Sequence, residues 1–192
     1  MYSILLKRFW YLWLMIALSW LLLPHSDWAS WHLKQIQAGQ YWRILSGNFC
    51  HNNFIHWLMN VAALTLIYFI YDERLSNRHF LLISITISSI GGYALLYANY
   101  AEYVGLSGLI HGLLAYAASV DVIKGNAKIG GLVLAGLSIK LLLEQLYGGD
   151  PWVKQMIGID VAINAHLYFA VVGVLMALAY LVVKKASTPV AR

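Results

Sequence analysis

The stretch VAINAHLYFAVVGVLMALAYLVV, residues 161–183, contains no Asp, Glu, Lys or Arg. A helix needs about 20 mostly apolar residues to cross the hydrocarbon core of a bilayer, so this stretch predicts a membrane-spanning helix. Other runs of the chain have the same character, and they are too long and too uniformly apolar for the strands of a membrane barrel. The predicted spans are residues 9–23, 54–71, 80–97, 105–123, 129–146 and 161–183.

The composition of the whole chain supports this class of protein. Apolar residues make up 61% of the 192 residues and charged residues 11%, against about 45–50% and about 25% in soluble domains. Too few polar side chains remain to cover a soluble surface, and disordered chains are polar and highly charged. A single cysteine, Cys50, excludes a disulfide scaffold. We therefore expect an all-α membrane protein in which residues 1–192 form one domain of six transmembrane helices.

The first predicted span resembles a signal peptide, because the basic residues Lys7 and Arg8 precede an apolar stretch. The segment that follows it, Pro-His-Ser-Asp-Trp at 24–28, lacks the small-x-small pattern of a cleavage site. We expect the span to be retained as a helix.

Basic residues are distributed unequally between the two sets of loops. One side would carry Lys7, Arg8, Arg74, Arg78, Lys124, Lys128, Lys184, Lys185 and Arg192, and the other only Lys34, Arg43 and Lys154. Because cytoplasmic loops are rich in Lys and Arg, this asymmetry predicts cytoplasmic termini in a cell inner membrane. It also explains the net charge of +5 without a nucleic-acid partner. The long outward loop, residues 24–53, holds Trp28 and Trp31 and is expected at the lipid headgroups.

Four uncharged polar side chains are predicted at one depth within this framework. His56 and Asn60 follow the outer end of the second span, Ser107 that of the fourth, and His166 that of the sixth. At about 1.5 Å of rise per residue, all four lie within roughly 10 Å of the outer boundary. Polar groups are costly inside a membrane, so their convergence indicates a functional site near the periplasmic side.

The residue types at this depth suit nucleophilic catalysis. A serine hydroxyl attacks only when a base removes its proton, and His166 is suited to remove that of Ser107. The His56 ring, the Asn60 amide and the Ser107 backbone N–H are candidate donors to an oxyanion. Asp160 is a candidate third member, but it lies six residues before His166, in the expected loop. We therefore expect a Ser–His dyad.

Other polar residues have simpler interpretations. Lys140 and Glu144 are spaced i, i+4, which favours an ion pair that reaches outward from the fifth span, although a gating role is an alternative. His111 lies one turn below Ser107 and is expected to stack on His166 rather than act as a base. His51 is expected to form hydrogen bonds in the loop, near the oxyanion donors, and Cys50 is expected to be inert.

These residues resemble the motifs of the rhomboid intramembrane serine proteases. The G-x-S-G motif matches Gly105–Gly108, Ala-His matches Ala165-His166, and the family's second-helix pattern matches His51, His56 and Asn60. Trp42-Arg43 and the segment Asp72-Glu73-Arg74-Leu75 match two further signatures, in the family's order along the chain. The resemblance implies Ser107 as the nucleophile, His166 as the base, and His56 and Asn60 as oxyanion donors. It also implies cleavage of a substrate's transmembrane segment near the outer face.

Two positions depart from the commoner rhomboid pattern. His111 stands where many members have Tyr, and Phe169 where many have Gly. The pattern Ser107 to Gly112 and the compact chain resemble the rhombosortase branch. That branch implies substrates with a C-terminal membrane tail that carries a Gly-Gly motif, an apolar helix and a basic end. A protease of single-span membrane proteins in general is the alternative.

Two functions from other classes stay open at this point. The histidines 51, 56, 111 and 166 could supply the axial ligands of a membrane haem protein, with His56 facing His166. A transporter that uses the polar cluster as a pathway is a further alternative, although Lys140 is the only charged residue placed deep in a span. Under the protease interpretation, neither a cofactor nor a metal is expected.

Overall fold

The architecture is taken from a computed structural model that describes residues 8–72 and 75–187. Glu73 and Arg74, part of the matched segment Asp72-Glu73-Arg74-Leu75, lie outside the described residues. The α-helices are α1 (Trp10–Leu21), α2 (Ser26–Ala29), α3 (Leu33–Gln37), α4 (Arg43–Ser46), α5 (Phe54–Tyr71), α6 (Asn77–Ala94), α7 (Ser107–Ile123), α8 (Ala127–Tyr147), α9 (Pro151–Ile157) and α10 (Ile163–Ser187). Short 3₁₀ turns occupy Leu23–His25, Gly47–Phe49 and Leu95–Tyr97, and two short strands are β1 (Trp31–His32) and β2 (Glu102–Tyr103).

Four described helices have the length and composition needed to cross a membrane. They are α5, α6 with its 3₁₀ extension to Tyr97, α8 and the Ile163–Val182 part of α10. The apolar helices α1, of 12 residues, and α7, of 17 residues, are shorter than this criterion requires. The protein is thus an all-α membrane protein with at least four candidate spans among its described residues.

Helix α7 lies at the centre of the bundle. Most of its residues are buried, and it packs against α5, α6, α8 and α10. Its contact with α10 is the closest of these, because a Cβ added to Gly173 would collide with the backbone carbonyl of Gly112. Small residues allow membrane helices to approach until their backbones touch, as they do here.

Phe169 fills the space between three of these helices. Its ring is fully buried, and a Cβ added to Gly91 of α6 would lie 2.6 Å from that ring. On α7, a Cβ at Gly108 would lie 3.2 Å from it. Phe169 stands where many rhomboids have glycine, and Gly91 and Gly108 on the neighbouring helices leave the space that its ring occupies.

The long segment between α1 and α5 is ordered by a buried arginine. Arg43 is 4% exposed. Its guanidinium donates to the carbonyls of Ser30, at 2.8 Å, and Asp27, at 3.1 Å, and to the Gln40 side chain at 2.7 Å. Loop carbonyls have no partner within a helix or sheet, and burying them unpaired is costly. The Arg43 side chain thus supplies hydrogen-bond donors to three acceptors in different parts of the segment.

The same segment is joined to the residues that precede α7. Strands β1 and β2 pair antiparallel, with Trp31 opposite Tyr103 and His32 opposite Glu102. The backbone N–H of Gly105 donates to the carbonyl of Gly47 at 3.2 Å. The start of α7 is therefore fixed by residues far away in the sequence.

Candidate active site

Ser107 is the first residue of α7, at the end of a tightly held turn. Gly105 has φ of +117°, a conformation that residues with a Cβ rarely adopt. The Tyr103 hydroxyl donates to the Gly105 carbonyl at 2.6 Å and accepts from the Gly108 N–H at 3.3 Å. Because the N–H groups of a first helical turn have no partner within the helix, this end of α7 points donors and the positive end of its dipole at the site.

His166 faces Ser107 from the first turn of α10. Its Nε2 atom is 3.0 Å from the Ser107 hydroxyl oxygen, and its side chain is buried at 6% exposure. This distance allows a proton to pass directly from the hydroxyl to the ring. The structure therefore brings together the two residues that depth alone had predicted to meet.

A third group, which the sequence analysis left out of the site, contacts the same ring. The Nδ1 atom of His166 lies 2.9 Å and 3.1 Å from the two carboxylate oxygens of Glu144 on α8. Glu144 also makes the predicted i, i+4 ion pair with Lys140, at 2.6 Å. The spacing of Lys140 and Glu144 already accounted for the Glu144 charge by an ion pair within α8. That spacing gave no indication that the same carboxylate also contacts His166 on α10.

The alternative acid, Asp160, belongs to a separate ion pair. Its carboxylate lies 2.6 Å from the Lys154 ammonium, and its side chain is 84% exposed. The signal that could have identified Glu144 is its depth in the membrane. It lies within one turn of the outer end of α8, and Ser107 and His166 lie equally near the outer ends of their helices.

The candidate oxyanion donors lie beside the Gly105 turn. His56 and Asn60 are 6% and 7% exposed, and both contact the position that a Cβ on Gly105 would fill. The Asn60 amide nitrogen is buried and has no hydrogen-bond partner among the described residues. A buried amide donor without a partner is costly unless a ligand or an intermediate supplies the acceptor.

His111 has the stacked contact that the sequence analysis expected. Its ring is 4.1 Å from that of His166, with 14° between the ring planes. Its Nδ1–H donates to the Ser107 carbonyl at 2.6 Å, one turn back on the same helix. The ring therefore supports one face of His166, and one of its nitrogens is occupied by the backbone.

His51 lies near the site but has the wrong tautomer for an oxyanion donor. Its ring is 5.0 Å from that of His56, and its Nδ1–H donates to the Phe49 carbonyl at 3.1 Å. Burial, together with the neighbouring His56, lowers the pKa of His51 to about 3. The ring is therefore neutral near pH 7, and its Nε2 atom is an acceptor.

Cys50 lies beside these residues and is buried. Burial raises the pKa of its thiol to about 12, an effect that Arg43 partly opposes. The thiol is therefore protonated near pH 7 and is a poor nucleophile.

The site opens into a cavity of about 1140 Å³. Polar residues that line it include His56, Asn60, Ser107, Glu144 and His166. Helix α9 lies at its edge, where the Asn52 and Asn53 amides donate to the carbonyls of Ile157, at 2.8 Å, and Met156, at 3.0 Å. These bonds hold α9 against the segment that precedes α5.

The arrangement around His166 disfavours the haem alternative. Both of its ring nitrogens are already engaged, by Ser107 and by Glu144, whereas an axial ligand needs one free. Ligand atoms of His111, Glu144 and His166 do lie within 4.8 Å of one another, close enough to chelate a metal ion. The same residues are joined by hydrogen bonds or ring stacking, so a metal is not needed to explain their grouping.

The fold and the site together define a helical membrane protein in which a partly buried serine hydroxyl is hydrogen-bonded to a buried histidine beside a cavity. The family model described as the rhomboid domain matches residues 38–183. The chain belongs to the rhomboid family.

Individual relatives agree with this assignment. The chain is 27% identical over 170 residues to the rhomboid protease GlpG of Yersinia pestis (strain Pestoides F), which covers 85% of this chain and 59% of that protein. It is 24% identical over 152 residues to the rhomboid protease GlpG of Salmonella choleraesuis (strain SC-B67), which covers 78% of this chain and 52% of that protein. The chain thus spans a little over half the length of these curated relatives.

Proposed function

We propose that the protein is an intramembrane serine endopeptidase in which Ser107 is the nucleophile and His166 the general base. The observation that carries this proposal is the 3.0 Å contact between His166 Nε2 and the Ser107 hydroxyl. Membership of the rhomboid family and the similarity to rhomboid proteases support it.

The reaction proceeds through an acyl-enzyme. The Ser107 hydroxyl proton passes to His166 Nε2 while Oγ bonds to the carbonyl carbon of the scissile peptide. His166 then gives this proton to the departing amine as the C–N bond breaks. A water molecule loses a proton to the same nitrogen, attacks the ester and releases the carboxylic acid, and the proton returns to Ser107.

The negative oxygen of each tetrahedral intermediate is stabilised beside the Gly105 turn. The Asn60 amide, the His56 ring and the backbone N–H of Ser107 are the donors. The unpartnered Asn60 nitrogen supports this assignment, because it is a buried donor that lacks an acceptor among the described residues.

We further propose a topology in which six helices of one domain cross the inner membrane, with both termini in the cytoplasm. In this topology the shorter helices α1 and α7 also cross, packed against longer spans. The asymmetry of Lys and Arg supports the orientation. The cavity then opens on the periplasmic side, which supplies the water that hydrolysis requires.

As substrate, we propose membrane proteins with a C-terminal transmembrane tail of the rhombosortase type. The Ser107 to Gly112 pattern, with its stacked His111, supports this choice over single-span membrane proteins in general. Gly residues in such a tail unwind a helix at low cost, which suits a site that must receive an extended segment.

A fluorophosphonate probe tests the reaction. We expect it to label the purified full chain, and to leave Ser107→Ala and His166→Ala unlabelled, because the probe needs an activated serine. Ser119→Ala is the matched control, since Ser119 lies on the same helix and is a buried serine away from His166. Equal labelling of the wild type and Ser107→Ala would refute the proposal.

Substrate class is tested separately, by co-expression with two reporters. One carries a C-terminal Gly-Gly tail, and the other is an unrelated single-span protein. We expect Ser107-dependent cleavage of the first reporter. Cleavage of the second alone would refute the rhombosortase specificity and leave the protease assignment intact.

A further inference from the structure

The strongest unassigned feature is the carboxylate of Glu144 on the far side of the His166 ring. From its geometry we infer that Glu144 is a positioning residue that, through His166, completes a Ser–His–Glu triad. The inference rests on the proposed function and deepens it, because the dyad expected from the sequence contains no acid.

Hydrogen-bond chemistry determines the tautomer of His166 in this arrangement. An ionised carboxylate can only accept, so a bond to Glu144 requires a proton on His166 Nδ1. In the neutral ring, Nε2 is then unprotonated and points its lone pair at Ser107, 3.0 Å away. The opposite tautomer could not accept the serine proton, so Glu144 selects the form of the ring that is a base.

The bond also restrains the ring in two directions. Glu144 holds the Nδ1 edge, and the stacked ring of His111 covers one face at 4.1 Å. A neighbouring bond, from the Gln145 side chain to the Ile163 carbonyl at 3.3 Å, ties the same turn of α8 to the start of α10. This bond helps to keep the Glu144 carboxylate at the height of His166.

Charge complementarity supports an ionised Glu144. Its side chain is 13% exposed, and Lys140 contacts Oε1 at 2.6 Å, while Oε2 is the oxygen nearer to His166. A buried carboxylate is costly unless it is paired and hydrogen-bonded, and here it is both. When His166 takes the serine proton, the imidazolium lies directly against this anion. Glu144 itself neither gains nor loses a proton in the reaction.

The test compares acid variants of the full chain in detergent, with the rate of fluorophosphonate labelling and kcat and KM on a cleaved reporter. For Glu144→Gln we expect a loss of kcat of about tenfold to 1000-fold with KM unchanged, because loss of the acid from a triad disturbs the tautomer rather than substrate binding. Glu144→Asp should recover part of this loss. The matched control is Asp160→Asn, which removes another carboxylate at the same cavity and should leave the rate within about twofold.

A measurement on the wild-type protein tests the inference even if Glu144 variants fail to fold. With ¹⁵N-labelled histidine, the His166 resonances, assigned by their loss in His166→Asn, should report the tautomer protonated at Nδ1. The Nε2-protonated tautomer, or wild-type kcat in a folded Glu144→Gln, would overturn the role of Glu144. If Ser107→Ala still abolishes labelling, the proposed function survives that result, whereas labelling of Ser107→Ala would refute both.

Discussion

Two sides of the cavity differ in how tightly they are packed. The closed side, which we define as helices α5, α7 and α10, carries Asn60, Ser107 and His166, and the backbones of α7 and α10 touch at Gly112 and Gly173. The open side, defined as α8 and α9, carries Glu144. The apolar window of α8 is 17% buried within the protein, against 39% for those of α5, α6 and α10.

The difference separates two requirements of the site. The distance between the serine and the histidine depends on the closed side, where little movement is possible without breaking close contacts. The orientation of the histidine depends also on α8, which is less buried within the protein. Substitutions on the two sides should therefore have different effects, and the following predictions test this from the largest to the smallest.

The largest effect is expected from loss of Asn60, the proposed oxyanion donor on the closed side. Asn60→Ala should lower kcat by about 100- to 1000-fold, the usual result of removing one such donor. The measurement is reporter cleavage at saturating substrate. Asn126→Ala, at the start of α8 and far from the cavity, is the control, and an unchanged kcat in Asn60→Ala would exclude it as a donor.

A methyl group added between the touching helices should come next. Gly173→Ala places a Cβ against the Gly112 carbonyl, so we expect destabilisation by about 1–3 kcal/mol and a longer Ser107–His166 distance, with at least tenfold slower labelling. Gly131→Ala on α8 is the matched control, because nothing lies within 4 Å of its added Cβ. Thermal denaturation in detergent measures both variants, and equal stability of the two would contradict the difference in packing between the two sides.

Removal of the stacked ring should have a smaller effect. Such ring pairs contribute about 0.5–1.5 kcal/mol, so His111→Ala should lower the labelling rate by about 2- to 12-fold. His111→Phe keeps a ring over His166 and should be closer to the wild type. If the two variants lose the same activity, the hydrogen bond to the Ser107 carbonyl matters more than the stacking.

The smallest effect is expected at the edge of the open side. Asn52→Ala and Asn53→Ala each remove one bond to α9, and such a bond contributes about 0.5–1.5 kcal/mol. Asn53→Ala also removes the side-chain acceptor of the His56 N–H at the start of α5. Hydrogen exchange should become faster in residues 151–157, while α6 is unchanged. Unaltered exchange in both variants would show that other contacts hold α9 in place.

Much of the fold was predictable because the bilayer constrains it strongly. The predicted span 54–71 coincides with α5, and the span 129–146 lies within α8. The first span was predicted too long, since Pro24 lacks the N–H that would continue a helix and the chain turns into a 3₁₀ segment at Leu23–His25. Hydropathy measures how apolar a stretch is, and it does not locate a helix end to the residue.

The candidate site was predictable only in part, and the reason differs from residue to residue. Ser107 and His166 could be placed by depth, because helices convert sequence position into height in the membrane. The partners of Glu144 and Tyr103 depend on how helices rotate and how a loop runs, which no local pattern records. The tautomer of His51 follows from one carbonyl of the loop, Phe49, and could not be foreseen.

Because β1 pairs with β2, with Trp31 opposite Tyr103, mutations far from Ser107 in the sequence should disturb the turn before it. The residues before Ser107 are held by Tyr103 and by Gly47, where any side chain would collide with Trp31. A genetic screen for inactive alleles should therefore recover changes at Gly47 and Trp31, more than 50 positions before the serine. Such alleles would produce a protein that is inserted in the membrane and contains every residue of the proposed catalytic site.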